Sequence, residues 1–505
     1  MDQKRRDFLR GTVLTGASAG AVGLGAVGMG SAGPAKAASP PPRRPRVLLR
    51  GGYLLTLDPK LGDFRGDLLI DGGRIAAIGQ SLSATGADVV DARDMVILPG
   101  FIESHRHTWQ SSLRHLGADW ILSEYIRTMF ARVGIHYRPQ DVYAGNLLGR
   151  LSALESGITT MLDWSHIMNT PEHADAAIQG LRDAGVRSVF AMGWPQTPDP
   201  FKWIARSSLD LPDDIRRVRK QHFSGNNGLV TLQMAARGPT FAVMEQVARD
   251  LETARDLGIN STMHGNGGGA IAGMQKAGIK LGPDITYVHW ANVTNEELDL
   301  IKSSGGTVSI SPLGESWHSR WQEKPPATMR FLRAGIKPSL SVDTEAFAPG
   351  DMFSTMKGTL GIARYSAANP DPADAVAAPT DIPNWNPSSV IPARTVLELA
   401  TIAGARPLGL DGQVGALSPG MQADILCLRA SHLHHFPLND AVGMVVMAAD
   451  TASVDAVFVA GKAVKFNGRL VNDALVQRAK RLALESREYL LEKSGLSIAA
   501  GLRKS

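Results

Sequence analysis

The sequence predicts an α/β protein built on a (β/α)8 TIM barrel, with a small β-sandwich formed by the N- and C-terminal flanks. Three observations support this fold class. The 505 residues are 44% hydrophobic and 20% charged, which provides apolar material for one large core and a smaller unit. Short apolar runs alternate with helical patterns through the middle of the chain, as in parallel α/β sheets. Both ends carry strand-like runs separated by glycine-containing turns.

Residues 1–37 have the layout of a twin-arginine signal peptide. Arg5 and Arg6 precede a weakly apolar stretch rich in glycine and alanine, and Ala35-Lys36-Ala37 offers a small-residue cleavage site. A membrane anchor is the alternative, but a segment so rich in glycine makes a poor spanning helix. We therefore expect a protein exported to the periplasm or the medium by the twin-arginine export machinery, with no stable membrane insertion after the signal is removed.

The signal also explains much of the positive charge. Residues 1–37 hold five basic and two acidic residues, so that +3 of the formal net charge of +5 lies there and the mature part keeps +2. This charge offers no argument for a nucleic-acid partner. The expected partner is a small-molecule substrate. The sequence leaves open whether the chain forms a homo-oligomer. Cys427 is the only cysteine, so no internal disulfide can form, and its run DILCL indicates a core residue.

The rest of the chain divides into four predicted segments. Residues 38–97 form the N-terminal part of the sandwich, and residues 412–475 form its C-terminal part. Residues 98–411 form the barrel, and residues 476–505 form a C-terminal helix or tail. The sandwich strands are expected in RVLLRGGYLLTL, GDLLIDGG and RIAAIG at one end, and in ADILCL, DAVFVAG and KAVKFNG at the other.

Eight short apolar runs are the predicted barrel strands, because loops and helical patterns follow most of them. A helix is expected at 241–257, and Thr294 with Glu297 forms a capping box for another. Residues 195–224 and 366–392 are predicted long loops, either lids over the barrel or solvated surface. The predicted strands are 95–102, 159–162, 188–192, 230–234, 261–263, 285–288, 307–311 and 338–342.

Side chains with metal-ligand chemistry stand at the ends of several predicted strands. His105 and His107 lie two positions apart at the end of strand one, and period-two geometry points both imidazoles to the same side. His264, His289 and Asp343 end strands five, six and eight. Because the carboxyl ends of barrel strands converge on the active site, we expect these five groups to meet there. Neutral imidazole is a preferred ligand of zinc and iron.

The pattern resembles the amidohydrolase superfamily, in particular the branch of cytosine deaminase-like and triazine aminohydrolase/chlorohydrolase-like enzymes. The resemblance spans roughly residues 46–470 and rests on ILPGFIESHRH, QSSLR, GITTMLD, TIAGAR and GALSPG. It implies one divalent metal per chain, Zn2+ or Fe2+. It further implies that Gln110 contacts the substrate and that His289 acts beside the attacking water. The ligands that the resemblance implies are His105, His107, His264 and Asp343.

Two departures bear on the mechanism. The fourth strand, VTLQMAA, contains no lysine, so the bridging carboxylated lysine of two-metal relatives is missing and one metal is favoured. Deaminases of this branch usually carry a glutamate three residues after the strand-five histidine, where Gly267 stands here. Glu315, just past strand seven, is either a replacement proton shuttle from across the barrel mouth or a solvated loop residue. Asp343 can accept a proton from water, and His289 is suited to proton transfer near neutral pH.

Aromatic residues near the strand ends are candidates for a pocket around a flat ring. Trp109 and His318 are predicted to contact the substrate, although core packing is the more common role of tryptophan. Arg237 meets either a substrate anion or a neighbouring carboxylate. Asp163 is expected to support the loop after strand two.

These observations predict a metal-dependent hydrolase that uses activated water to cleave a C–N bond, by deamination or by amide or amidine hydrolysis, of a cyclic or heteroaromatic small molecule. Two alternatives stay open. The first is a hydrolase of non-aromatic amides or C–halide bonds, which needs no ring protonation. The second is a catalytically inactive exported binding protein on the same barrel. The substrate itself stays open, because specificity in barrel enzymes lies in variable loops.

Overall fold

The computed structural model describes residues 40–317, 327–368 and 390–498. The predicted signal peptide, residues 1–37, and the candidate substrate residue His318 lie outside these ranges. Within the described ranges, no helix combines the length and the apolar character that a bilayer crossing requires.

Strands occur at both ends of the described chain and alternate with helices between them. The strands are β1 (Val47–Leu54), β2 (Phe64–Asp71), β3 (Arg74–Gly79), β4 (Asp88–Asp91), β5 (Met95–Pro99), β6 (Phe101–Arg106), β7 (Ile158–Ser165), β8 (Ser188–Met192), β9 (Val230–Ala236), β10 (Ser261–Gly267), β11 (Ile285–Asn292), β12 (Thr307–Ile310), β13 (Ser339–Leu340), β14 (Ile425–Arg429), β15 (Val454–Val459), β16 (Lys462–Phe466) and β17 (Arg469–Leu470).

Helices follow most of the central strands, and a long one closes the described chain. The α-helices are α1 (Leu122–Tyr125), α2 (Pro139–Glu155), α3 (Pro171–Asp183), α4 (Asp214–His222), α5 (Met244–Asp256), α6 (Ala270–Lys276), α7 (Asn295–Ser304), α8 (Pro312–Trp317), α9 (Thr328–Arg333), α10 (Met352–Ala368), α11 (Ala393–Leu399), α12 (Ile402–Ala405), α13 (Ala441–Gly443) and α14 (Asp473–Ser494).

Strands β6 to β13 form the eight-stranded parallel sheet of a (β/α)8 barrel, in which neighbours in sequence are neighbours in space. The first and last strands meet around the residues that follow β13. The amide of Asp343 donates to the carbonyl of His105 at 3.2 Å, and the amide of His107 donates to the carbonyl of Asp343 at 2.7 Å. The Val342 amide donates to the buried carboxylate of Glu103 at 3.0 Å. The predicted barrel is confirmed.

The predicted first barrel strand, 95–102, is wrong in one respect, because it is two strands. β5 belongs to the small sheet, and only β6 belongs to the barrel. Gly100 separates them: its amide donates to the carbonyl of Asp424 at 3.0 Å, and a Cβ there would lie 2.1 Å from the Thr159 side chain. Both strands are fully buried, so the sequence shows one apolar run without the alternation that would mark the change of sheet.

The helix predictions hold for the strongest patterns. Thr294 Oγ1 accepts a bond from the Glu297 amide at 3.2 Å, and the Glu297 carboxylate accepts one from the Thr294 amide at 2.8 Å, which confirms the capping box. The helix expected at 241–257 is α5, which begins three residues later. The predicted loop 195–224 contains the helix α4, which the charged sequence DIRRVRKQH concealed. Most of the second predicted loop, 366–392, lies outside the described residues.

The two flanks form one mixed sheet of nine strands in the order β17-β16-β15-β14-β5-β1-β2-β3, with β4 beside β1. β14 runs antiparallel to β5, and Ile425 lies opposite Pro99. Residues of both flanks share one apolar cluster, which includes Leu49, Ile97 and Phe458. The two flanks therefore build a single unit, as predicted, and its strands are joined edge to edge in one continuous sheet.

Candidate metal centre and active site

The structure brings His105, His107, His264 and Asp343 together where the barrel strands end. One ligand atom of each residue lies within 4.8 Å of the others. Nε2 of His264 is 3.1 Å from Nε2 of His105, and Oδ1 of Asp343 is 3.4 Å from Nε2 of His105 and 3.3 Å from Nε2 of His107. Ligands arranged tetrahedrally around zinc, with bonds of about 2.0–2.2 Å, stand roughly 3.4 Å apart. The group therefore has the size and the donor set of a divalent metal centre.

The ring orientation of His107 also fits metal binding. Its Nδ1 lies 2.9 Å from the backbone carbonyl of Trp164. Because a carbonyl only accepts, Nδ1 carries the proton, and Nε2 keeps its lone pair facing the cluster. A backbone acceptor that fixes the tautomer in this way is the usual support of a metal-binding histidine.

The protonation states suit the same role. Burial is the largest cause that lowers the pKa of His105, and together with the neighbouring His107 it brings this pKa to about 3 against the opposing effect of Asp343. Burial and the surrounding histidines also bring the pKa of His264 well below its ordinary value. For Asp343, burial raises the pKa, but its contacts with His105 and His107 outweigh this effect and bring the pKa well below its ordinary value. Neutral imidazoles beside an ionised carboxylate are the forms that bind a metal.

Two residues of the site have a left-handed backbone. Asp343 has φ of 70° and His289 has φ of 74°. Residues with a Cβ rarely adopt this conformation, which costs about 1–3 kcal/mol and is found mostly at functional sites. At Asp343, backbone bonds to His105 and His107 on either side hold the strained residue in place.

His289 stands beside the metal-ligand group and faces Glu315. Its ring stacks on that of His264, with centroids 5.1 Å apart and planes inclined by 16°. Its Nδ1 lies 3.1 Å from Oε1 of Glu315, an oxygen that also accepts a bond from the Ser311 amide at 2.8 Å. Glu315 is 3% exposed, so the alternative that it is a solvated loop residue is wrong.

The pair with Glu315 changes the acidity of His289. Burial lowers the pKa of this imidazole, but the hydrogen bond that it donates to Glu315 and the charges of Asp343 and Glu315 raise it more, so the pKa lies above its ordinary value. Oε2 of Glu315 is buried and without a hydrogen-bond partner. The site therefore contains an imidazole with a raised pKa, joined to a carboxylate with one oxygen that has no hydrogen-bond partner.

A second buried charge group lies behind the ligands. Arg106, between the two histidines of β6, places Nη2 2.8 Å from Oε1 of Glu345, and Arg114 places Nη2 3.2 Å from Oε2. Ser111 donates its hydroxyl to the same carboxylate at 2.5 Å. Sequence reasoning missed this group. The signal was the spacing itself, since a charged residue sits between His105 and His107 and another follows Asp343 by two positions.

The structure also explains the glycine that replaces the usual glutamate after β10. Gly267 has φ of 84°, and a Cβ on it would lie 2.5 Å from the backbone carbon of Asn292. No side chain fits there without a shift of the backbone. Gly265 has a similar constraint, because a Cβ on it would lie 1.8 Å from the Trp290 ring. The backbone at these two positions therefore requires glycine. A glutamate could not replace Gly267 without a change of the backbone.

The predicted substrate residues lie in a buried layer around the centre. Gln110 is 0% exposed, and its amide donates to the Tyr125 hydroxyl at 2.6 Å and accepts from the Thr344 hydroxyl at 2.5 Å. Trp109 is 0% exposed and donates Nε1–H to Nδ1 of His166 at 3.3 Å. Their contact with substrate stays a prediction, because the side-chain polar atoms of Gln110 and Trp109 are hydrogen-bonded to other protein groups.

His166 is a further residue that sequence reasoning missed. It follows β7 directly, and its ring centroid lies 4.4 Å from that of His107. Because Trp109 can only donate, Nδ1 of His166 accepts and the proton of the neutral ring is on Nε2. Its position in the sequence could have indicated it, because His166 comes directly after a fully buried barrel strand, as the other histidines of the site also stand at strand ends.

Two further sequence interpretations can be compared with the structure. Asp163 accepts bonds from the Thr108 amide at 3.2 Å and from the Asn146 side chain at 2.8 Å, so it supports the loop after β6. The prediction that it supports the loop after the second barrel strand is therefore wrong. Arg237 is buried and bound through two nitrogens to the Asp250 carboxylate at 3.0 Å each. Of the two interpretations of Arg237, the neighbouring carboxylate is therefore the correct one.

Comparison with known proteins gives relatives of similar length. The chain is 24% identical over 457 residues to 5'-deoxyadenosine deaminase of Methanosarcina mazei, covering 87% of this chain and 98% of the relative. Among solved structures, atrazine chlorohydrolase of Arthrobacter aurescens complexed with zinc matches with a TM-score of 0.71 and 21% identity, covering 86% of this chain and 100% of that one. An adenosine deaminase of Xanthomonas campestris with bound zinc matches with a TM-score of 0.70 and 20% identity, covering 88% and 98%. These structures share the fold.

The family assignment rests on the match to a family model. The model of the amidohydrolase family matches residues 96–464, which is well over half of the chain. The matched region begins in β5 and ends in β16, and it contains all the barrel strands and the four clustered ligands. The chain therefore belongs to the amidohydrolase family.

Proposed function

We propose that this amidohydrolase binds one divalent metal per chain and hydrolyses a C–N bond of a cyclic or heteroaromatic small molecule, as in deamination. One observation carries the proposal: three imidazoles and one carboxylate, far apart in the sequence, converge within 4.8 Å of one another. Family membership and a relative named as a deaminase support the same class of reaction.

The donor set favours Zn2+, with Fe2+ as the alternative. Three nitrogen ligands and one oxygen ligand suit both ions, and two similar solved structures contain zinc. When bound, such an ion supplies Lewis acidity that lowers the pKa of water at an open position and polarises the substrate. His105, His107, His264 and Asp343 would hold it.

Asp343 is the proposed acceptor of the proton that the attacking water loses. Its Oδ1 faces His105 and His107, which leaves Oδ2 for the proton. Gly314 lies on that side, where even a Cβ would approach Oδ2 to 3.3 Å, so the absence of a side chain keeps this oxygen accessible. The low pKa of Asp343 keeps it ionised and ready to accept.

His289 and Glu315 are the proposed proton-transfer pair on the other side. Glu315 holds Nδ1 of His289, so the opposite ring nitrogen is left to donate to the oxygen on which negative charge develops. Oε2 of the ionised Glu315 has no hydrogen-bond partner and can take the remaining proton of the attacking water and pass it to the ring nitrogen, the step for which relatives of the deaminase branch use the glutamate missing at Gly267, while Asp343 returns the first proton to the leaving amine. This assignment makes Glu315 the replacement shuttle.

The glycine at position 267 also favours a second candidate function. A hydrolase of C–halide bonds or of non-aromatic amides needs no protonation of a ring nitrogen, and the backbone around Gly267 excludes the usual proton donor. A solved structure of the same fold is a chlorohydrolase. The released product separates the two functions, because a deaminase releases ammonia and a dehalogenase releases halide.

The experiment combines metal analysis with a substrate panel. The purified protein is expected to contain one metal per chain and to release ammonia from at least one aminated purine nucleoside, pyrimidine or triazine. The variant His264→Asn should lose both metal and turnover, whereas the matched control His222→Asn, which breaks a surface pair with Asp175, should keep both. Halide release alone would favour the second candidate. Bound metal with no turnover on the whole panel would contradict both and favour a binding protein.

We propose further that residues 1–37 direct export by the twin-arginine machinery. The support is the adjacent Arg5 and Arg6 ahead of a weakly apolar, glycine-rich stretch. Fusion of residues 1–37 to a reporter that is exported only in the folded state should place it outside the cytoplasm. The double variant Arg5→Lys, Arg6→Lys should retain it inside, and equal export of both fusions would contradict the proposal.

A further inference from the structure

A second group of histidines lies outside the barrel, in the turn that follows β14. His432, His434 and His435 each offer one ring nitrogen within 4.8 Å of the others. We name this group the triple-histidine cluster. It belongs to the nine-stranded sheet formed by the chain flanks, and it shares no residue with the metal centre of the barrel.

We propose that the triple-histidine cluster is a second metal site, which binds one divalent transition-metal ion such as Cu2+, Zn2+ or Ni2+. The three donors are all imidazole nitrogens, and this ligand type selects these ions over Mg2+ and Ca2+, which prefer oxygen. Three protein ligands leave a further coordination position to water.

His435 is the anchor of the cluster. It is 5% exposed, and its Nδ1 lies 2.8 Å from the backbone carbonyl of Arg429. A carbonyl only accepts, so Nδ1 carries the proton and Nε2 keeps a lone pair. This is the same support that the carbonyl of Trp164 gives to His107 in the barrel. The orientation of one ligand is therefore fixed before a metal binds.

On its other side, His435 is linked through Ser453 to the carboxylate of Asp450. Nε2 of His435 lies 3.2 Å from Oγ of Ser453, and that hydroxyl donates to Oδ1 of Asp450 at 2.9 Å. The Ser453 proton is engaged by the carboxylate, so Nε2 of His435 can exchange its contact with Oγ for a bond to a metal. The Asp450 carboxylate then stands close to the bound cation and favours it.

The remaining two ligands can move to meet the metal. His434 is exposed and His432 is half-buried, and both lie in a turn outside the strands. Their rings already gather around the anchor, with centroids 4.1 Å apart for His434 and His435 and 5.7 Å apart for His432 and His435. Two nitrogens bound to one ion at about 2.0–2.1 Å are at most roughly 4 Å apart. The cluster therefore needs only a small contraction of the turn.

The test uses the full-length protein with its barrel metal already bound. Titration with Cu2+ alone, followed by calorimetry and by electron paramagnetic resonance, should reveal a second equivalent whose spectrum shows nitrogen ligands. The double variant His432→Ala, His434→Ala should weaken binding of that equivalent by at least about tenfold and should leave substrate turnover unchanged. Both residues lie on the surface side of the turn, so folding should be preserved.

The matched control is Leu433→Ala, in the same turn. This side chain is 91% exposed and offers no ligand atom, so the variant should bind the second equivalent as the unaltered protein does. Absence of a second equivalent in the unaltered protein would overturn the proposal. Equal affinity of the double variant and the unaltered protein would overturn it as well.

Discussion

Arg106 and Glu345 form a buried ion pair directly behind the proposed metal ligands of the barrel. Nη2 of Arg106 is 2.8 Å from Oε1 of Glu345, and the two side chains are 0% and 3% exposed. Arg106 separates His105 from His107 in β6, and Glu345 lies two positions beyond Asp343. The pair therefore joins the two backbone segments that supply three of the four ligands, across the place where the barrel closes.

Replacement of this carboxylate should damage both stability and metal affinity. Glu345→Gln keeps the shape of the side chain but leaves Arg106 as a buried cation without an anion and removes the carboxylate partner of the half-buried Arg114. We expect the free energy of unfolding to fall by about 3–5 kcal/mol, because an unpaired buried charge is costly. Metal affinity should fall by about 10–100-fold, as for other residues that orient ligands. Urea unfolding and chelator competition measure the two effects.

The matched control for Glu345→Gln is Glu245→Gln, which breaks an exposed pair with Arg249. An exposed pair contributes less than about 1 kcal/mol, so this variant should keep its stability and its metal. Similar losses in both variants would contradict the role assigned to the buried pair.

Glu315→Gln tests the proposed proton shuttle. A neutral amide keeps a hydrogen bond to His289 but cannot pass on a proton, so kcat should fall by about 10²–10⁴-fold with little change in metal content. The control Glu296→Gln replaces an exposed carboxylate in α7 and should leave kcat unchanged. Unchanged turnover in Glu315→Gln would rule out the shuttle and favour a reaction that needs no protonation of a ring nitrogen.

Gly267 and Gly268 offer a comparison that separates conformational strain from steric clash. Both have left-handed backbone, with φ of 84° and 73°, but a Cβ on Gly268 meets no atom within 4 Å. Gly268→Ala should cost about 1–2 kcal/mol for the conformation alone. Gly267→Ala should cost about 1–3 kcal/mol more, because the methyl group strikes the Asn292 backbone. Thermal unfolding of the two variants measures the difference, and equal costs would contradict the clash.

Lys465 should make stability depend on pH in the alkaline range. Burial lowers its pKa from 10.5 to about 8, although Nζ donates to the carbonyl of Glu155 at 2.7 Å. Between pH 8 and 10.5 the unfolded chain keeps the Lys465 proton that the folded chain loses, so the free energy of unfolding rises with pH. The rise attributable to this group reaches up to about 3 kcal/mol.

Lys465→Met isolates the contribution of that amine from other groups that titrate in the same range. The variant should be more stable than the unaltered protein below pH 8, and the difference should shrink as the pH rises to 10.5. Urea unfolding at a series of pH values gives both curves. A difference that stays constant across the range would contradict the lowered pKa.

Much of the barrel could be predicted because strong local patterns agreed with the tertiary fold. The four proposed ligands were visible as polar residues at the ends of apolar runs, since the end of a barrel strand is also the place where side chains meet. The capping box of Thr294 and Glu297 was visible for a similar reason, because both of its hydrogen bonds lie within four residues.

The unpredicted features depend on contacts between distant residues. The spacing of Arg106 and Glu345 from the histidines and from Asp343 marks them as charged neighbours of the site, but it does not indicate that they pair with each other. The change of sheet at Gly100 likewise depends on a neighbour that is brought close only by folding. The triple-histidine cluster is an intermediate case. Its residues are adjacent in the sequence, but the anchoring carbonyl of Arg429 and the partner Ser453 are recognised only in the structure.

The pairing of β5 with β14 also constrains the order of assembly. During synthesis, Met95–Pro99 leaves the ribosome more than three hundred residues before Ile425–Arg429, the strand that it pairs with on one side. Until then β5 presents an unpaired apolar edge, which is a site where strands of other chains can add. A ribosome stalled or truncated before position 425 should therefore release a chain that depends on chaperones and is prone to aggregate, even with every barrel strand already made.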